Sequence, residues 1–77
     1  MKKISLLQIK EKEKVRILEI TAGSNLEKRL MSMGVYIGKE VVKLSHIRLK
    51  GPVVIKVGRS ILALGHSVAA KIIVERQ

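Results

Sequence analysis

The sequence predicts a small, mostly β fold: a closed sheet of about five short strands accompanied by short helices. Three observations carry this reading. Six glycines and one proline divide 77 residues into short apolar runs, the punctuation expected of strands joined by tight turns. Hydrophobic residues make up 47% of the chain and Tyr36 is the one aromatic, so there is material for one core, built from Leu, Ile, Val, Met and Ala. Helical spacing with both a start and a stop signal occurs in one segment alone. Residues 1–77 therefore read as one domain without repeats or linkers.

The elements follow in chain order. Residues 4–9 fit either a short strand or a turn of helix, and residues 11–14 (EKEK) an exposed charged turn. Residues 15–21 (VRILEIT) are rich in β-branched side chains and read as a strand that ends at Ala22-Gly23. Ser24 and Glu27 have the spacing of a capping box. Leu26, Leu30 and Met33 then recur at i, i+4 and i+7, one helical face, and Gly34 stands where a helix ends in a left-handed residue. Gly38 opens the strand at 41–47, with Val42, Leu44 and His46 on one face and Val41, Lys43 and Ser45 on the other. A loop through Gly51-Pro52 leads to a strand at 53–57. Gly58-Arg59 suits a two-residue hairpin turn with glycine first, and 60–64 returns as the antiparallel partner. Residues 66–70 fit one helical turn and 72–74 a last strand. Strands this short bury one face and remove their edges by rolling into a barrel, of SH3-like or OB-like type; periodicity does not choose between them.

Composition narrows the function. The formal net charge of +10 attracts anionic partners: nucleic acid, anionic lipid or an acidic protein face. It equally serves plain solubility, since it is spread along the chain without a block of like charges. There is no cysteine, hence no disulfide. The apolar start at residues 4–7 is too short for a secretory signal, and no run reaches the roughly 20 apolar residues of a membrane span. The expectation is a cytoplasmic protein. Six serines but no aspartate give no nucleophile–base arrangement, and the glycines form no phosphate loop, so neither catalysis nor a bound cofactor is expected.

Metal donors are sparse. His46 and His66 are separated by 20 residues, one in a strand and one in a turn, and six glutamates are scattered. A transition-metal site wants three or four converging donors, so both histidines read as ordinary surface or loop residues and no metal site is assigned. Nucleic acid is the main rival partner, but sequence-tolerant strand binding uses aromatic platforms and this chain has one aromatic. Protein contact fits better. Leu30 and Met33 are assigned to the core; Leu26, Met31 and Tyr36, at the helix rim, are the candidate contact residues. Arg48 and Lys50 in the following loop add attraction to an acidic partner or an anionic membrane surface, or else form a solvated loop.

Leu26-x-x-Arg29-Leu30-Met31-x-Met33-Gly34-Val35-x-x-Gly38-x-x-Val41 resembles the rLxxlGlxpGxxv signature of the FeoA family. The blocks Gly51-Pro52-Val53-Val54-Ile55-x-Val57, Ile61-Leu62-Ala63-Leu64 and Ala69-x-x-Ile72-x-Val74 follow in that family's order, and the resemblance spans residues 6–74. It implies an SH3-like barrel with a helical insertion, in which Gly34, Gly38, Gly51, Pro52 and Gly58 serve turns. It implies a cytosolic bacterial accessory of ferrous iron uptake whose partner is FeoB, a membrane transporter with a cytosolic GTP-binding domain. Transition-metal binding is a family-level association. The same domain also ends some metal-dependent repressors, so a stand-alone metal-responsive regulatory domain and a basic nucleic-acid-binding barrel are the alternatives. Three departures stand out. Ile37 replaces the usual proline, Leu64-Gly65 replaces Leu-Arg, and His66-Ser67-Val68 replaces the charged residues that often follow.

Overall fold

A computed structural model describes residues 3–47 and 50–76. Six strands run as β1 (Lys3–Ser5), β2 (Lys14–Ile20), β3 (Glu40–His46), β4 (Val53–Val57), β5 (Ser60–Leu64) and β6 (Ile72–Arg76). Helix α1 (Ser24–Ser32) lies between β2 and β3, helix α2 (His66–Ala70) between β5 and β6, and a 3-10 turn (Leu6–Gln8) follows β1. The strands form one antiparallel sheet in the order β1-β6-β2-β3-β4-β5. Two details of the expected barrel change. There are six strands, because Lys3, Ile4 and Ser5 pair with Glu75, Val74 and Ile73. The end strands β1 and β5 are not paired to each other among the described residues, so hydrogen bonding does not close the sheet.

The ambiguity at residues 4–9 resolves as both alternatives in succession. Ser5 ends β1 and caps the 3-10 turn: the Leu7 amide donates to Ser5 Oγ at 3.1 Å, and the Ser5 amide donates to Gln8 Oε1 at 3.0 Å. The capping box therefore forms here and not at Ser24. Gly23 occupies the N-cap of α1, which places Ser24 inside the first turn, and no side chain caps the helix.

One apolar face is buried. Leu6, Ile17, Leu30, Ile55 and Ile72 are its largest fully buried residues, joined by Val15, Val35, Val41, Val53 and Val74. In β2 the alternation Val15, Ile17 shifts phase to reach Ile20, and a register shift between Ile17 and Glu19 accommodates it. The hairpin turn forms as expected: Val57 pairs with Ser60, and Gly58 takes the positive φ, 58°, that a glycine-first turn requires.

In β3 the buried face is that of Val41 and Lys43. Lys43 is 2% exposed, and it is the polar side chain buried in the core among the described residues. Its ammonium donates to the Leu7 carbonyl at 3.0 Å and to the Ile9 carbonyl at 2.9 Å. Those carbonyls lie at the end of the 3-10 turn, where helical geometry leaves acceptors without internal partners. The four-carbon stem spans the apolar layer, and the head meets the acceptors that need it. Burial pushes the Lys43 amine below its ordinary value of 10.5, while the carboxylates of Glu11 and Glu13 pull it back up.

The turn before β2 is closed by Glu13, which accepts from the Lys10 amide at 2.9 Å and lies 2.9 Å from Arg76 Nε. The Lys10 hydrogen bond, assisted by Arg76, holds the Glu13 carboxyl below the usual carboxylate range although partial burial opposes it.

Lys43→Ala strands two carbonyls and should cost about 2–6 kcal/mol in denaturant unfolding, at roughly 1–3 kcal/mol per buried unpartnered group. The pH dependence has a definite sign. Between the lowered folded pKa and the unfolded value the unfolded chain binds more protons at Lys43, so this residue's contribution makes stability rise with pH in that alkaline window. Comparing wild type with Lys43→Met across the alkaline range should show that rise in the wild type alone.

Candidate functional site

The exit of α1 shapes the exposed surface. Gly34, at φ 90°, ends the helix; its amide donates to the Met31 carbonyl at 2.9 Å, and the Val35 amide donates to the Leu30 carbonyl at 2.8 Å. This pair of bonds is the Schellman ending, with Val35 and Leu30 both buried beneath it as its apolar contact. The Lys39 amide donates back to the Tyr36 carbonyl at 3.0 Å across a second positive-φ glycine, Gly38 at 94°. Residues 36–39 thus form a turn with the glycine at its third position, the type II pattern that favours proline just before it. Ile37 occupies that place, and its side chain is 56% exposed.

Two ridges of apolar surface result. Glu27 and Met31, one helical turn apart on α1, face Tyr36 and Ile37 across an open depression of about 370 Å³. Met31 is 54% exposed and Tyr36 41% exposed. Tyr36 also borders a second depression of about 580 Å³, lined by Lys14, Arg16, Lys39, Glu40, Val42 and Lys56 together with Gly38 and Gly58. Strand register builds this cleft: Val42 of β3 pairs with Lys14 of β2 on one side and Lys56 of β4 on the other, while Arg16 pairs with Glu40. Four cations face one carboxylate there, and Glu40 lies 3.7 Å from Lys14 and 3.5 Å from Arg16. Lys39 Nζ stands 6.0 Å from the Tyr36 ring centroid, the outer edge of a cation–π contact.

The sequence-derived contact residues divide. Met31 and Tyr36 are brought together in the apolar depression. Leu26 is half-buried and packs against the core, so it supports the helix instead of facing outward. Met33 was assigned to the core and is 41% exposed, because the helix ends at Ser32 and the chain turns before a further core-facing position is reached. Lys50 is exposed; Arg48 lies outside the described residues. Gly51 and Pro52 precede β4, and a Cβ on Gly51 would collide with the Ile47 carbonyl. Ile37 and the cleft cations escape the sequence reading: the former stands at a turn position, and the latter come from β2, β4 and the turn before β3, joined by a pairing the sequence does not state.

The two histidines stand in the strand and the helical turn expected of them, but close together. His46 ends β3 and His66 begins α2, and their ring centroids are 6.0 Å apart. No group of three or more His, Cys, Asp or Glu side chains capable of holding a metal ion occurs among the described residues. No helix among them is long and apolar enough to cross a membrane.

Fold and surface together define a small SH3-like β domain that presents an apolar depression against a basic cleft. The FeoA domain profile matches residues 4–76, and the chain belongs to the FeoA family, a family of ferrous iron transport. The "Putative Fe(2+) transport protein A" of Methanocaldococcus jannaschii is 45% identical over 67 residues, 86% of this chain and 78% of that protein. The crystal structure of an iron uptake regulatory protein (FeoA) superposes with a TM-score of 0.87 at 26% identity, covering 100% of both chains. A manganese-dependent transcriptional repressor shares the fold at a TM-score of 0.87 and 16% identity, over 97% of this chain and 42% of the repressor.

Adjacent positions on α1 should respond oppositely to substitution. Leu30→Ala removes a buried side chain and should cost about 2–5 kcal/mol, whereas Met31→Ser at the exposed depression should stay within about 0.5 kcal/mol of wild type. Urea unfolding of the two variants checks this.

Proposed function

We propose that this chain is a single-domain, cytoplasmic accessory protein of ferrous iron uptake that acts by binding, without catalysis of its own, and docks on the cytosolic GTP-binding part of FeoB. Family membership supports the transport role. The observation that carries the docking role is the junction at Tyr36, where an apolar depression and a basic cleft meet on one face. Met31, Tyr36 and Ile37 supply adaptable apolar anchors of the kind that dominate contact energies. Lys39, Lys56 and the exposed Lys50, with Arg48 two positions earlier in the sequence, supply long-range attraction to an acidic partner face and a weaker one to the anionic membrane beside a transporter. Modulation then follows from differential affinity: the chain shifts FeoB between states to the extent that it binds one better than the other.

The nucleic-acid reading is weaker on the same surface. Glu40 sits between Lys14 and Arg16, placing a carboxylate where a phosphate would have to lie.

Binding of the purified chain to the cytosolic domain of FeoB from the same organism tests the proposal by surface plasmon resonance. Met31→Glu and Ile37→Glu should each weaken binding at least roughly tenfold, the loss expected of a contact anchor, and added salt should slow association. Absence of binding by the folded wild type, or full binding by both variants, would overturn the docking role.

A further inference from the structure

His46 and His66 are brought together from separate elements, and each buries a nitrogen that has no partner. His46 follows Ser45 at the end of β3 and pairs with Val53 of β4, which pairs in turn with Leu64 of β5. His66 lies two residues beyond Leu64, so the strand ladder itself delivers the second ring to the first. The ring centroids are 6.0 Å apart with the planes tilted by 36°. His46 Nε2 and His66 Nδ1 are both shut off from solvent and lack a hydrogen-bond partner. Buried polar atoms are almost always satisfied, and an orphaned pair side by side calls for a bound water or ion.

The spacing suits a shared ion. A first-row divalent cation sits about 2.0–2.1 Å from an imidazole nitrogen, which puts two chelating ring centroids roughly 5.2 Å apart at a tetrahedral angle. Closing the observed 6.0 Å to that value takes a shift of less than about 1 Å, within the reach of small side-chain rotations. Both residues are only half-buried as wholes, so the same small rotations that close the ring spacing bring the two nitrogens out to an ion and its waters. His66 is also part of the segment in which this chain departs from the FeoA pattern.

We propose that His46 and His66 form a two-imidazole site for a borderline divalent cation such as Zn²⁺ or Ni²⁺, with water completing the coordination. Imidazole donors prefer these ions to Fe²⁺ by the usual stability order. With two protein donors on a strongly cationic chain the affinity is modest. The site lies apart from the Tyr36 surface, since neither histidine borders either depression there.

Calorimetric titration of the purified, chelator-treated chain with ZnCl₂ and NiCl₂, paired with NMR of the histidine ring protons, tests the site. The wild type should bind one equivalent saturably, with both rings shifting together and EDTA reversing the change. His46→Gln and His66→Gln should each weaken binding at least tenfold. Absence of saturable binding by the wild type, perturbation of one ring alone, or unchanged affinity in either folded variant would overturn the proposal. If a variant fails to fold, the ring shifts of the wild type decide the question.

Discussion

The two hydrogen bonds from the Lys43 ammonium to the Leu7 and Ile9 carbonyls hold the N-terminal segment across the buried face of the sheet. Without that segment Leu6 and Ile9 would leave the core, and the face formed by Val15, Val41 and Val74 would lose its cover. A small sheet has little apolar area to spare, so a single inward lysine that satisfies two stranded acceptors is worth its desolvation. Its neutral form still has two protons for the two carbonyls, which is why burial lowers its pKa without threatening the contact.

With one face sealed, four of the six large apolar side chains left exposed among the described residues, Met31, Met33, Tyr36 and Ile37, gather at the exit of α1, while Ile47 and Ile61 stand elsewhere. The Schellman ending at Gly34 buries Val35 and turns the chain, and the next turn, through Gly38, lifts Tyr36 and Ile37 outward. Proline would rigidify that turn; isoleucine retains the geometry and adds an aliphatic surface beside Met31. Strand pairing then sets the cations of β2 and β4, with Lys39 of the turn before β3, directly alongside. The apolar patch with its charged flanks is therefore a product of the same turns and register that build the fold.

Much of this was legible in the sequence. Strand positions, the helix, its stop at Gly34 and the Gly58-Arg59 turn follow from local signals, because each is governed by φ, capping or period-two alternation. The ordered FeoA-like blocks carried the family. What was not legible depends on long-range register. Lys43 looks like any strand lysine until β3 is placed over Leu7 and Ile9. The capping box was assigned to Ser24, since spacing alone cannot show that Gly23 starts the helix. Met33 fits the helical face by arithmetic, but the helix ends before it. His46 and His66, 20 residues apart, meet only because β4 and β5 lie between them. The cleft cations come from β2, β4 and the turn before β3, and their convergence is likewise a matter of pairing.

The proposed docking on FeoB requires recognition through the Tyr36 face. Backbone amide shift mapping of the labelled chain titrated with the cytosolic FeoB domain tests it most directly. The account predicts perturbations centred on Met31, Tyr36, Ile37 and Lys39 and extending to Lys56, with β1 and β6 silent. Perturbations centred on β1 and β6, with Tyr36 and its neighbours unmoved, would contradict it.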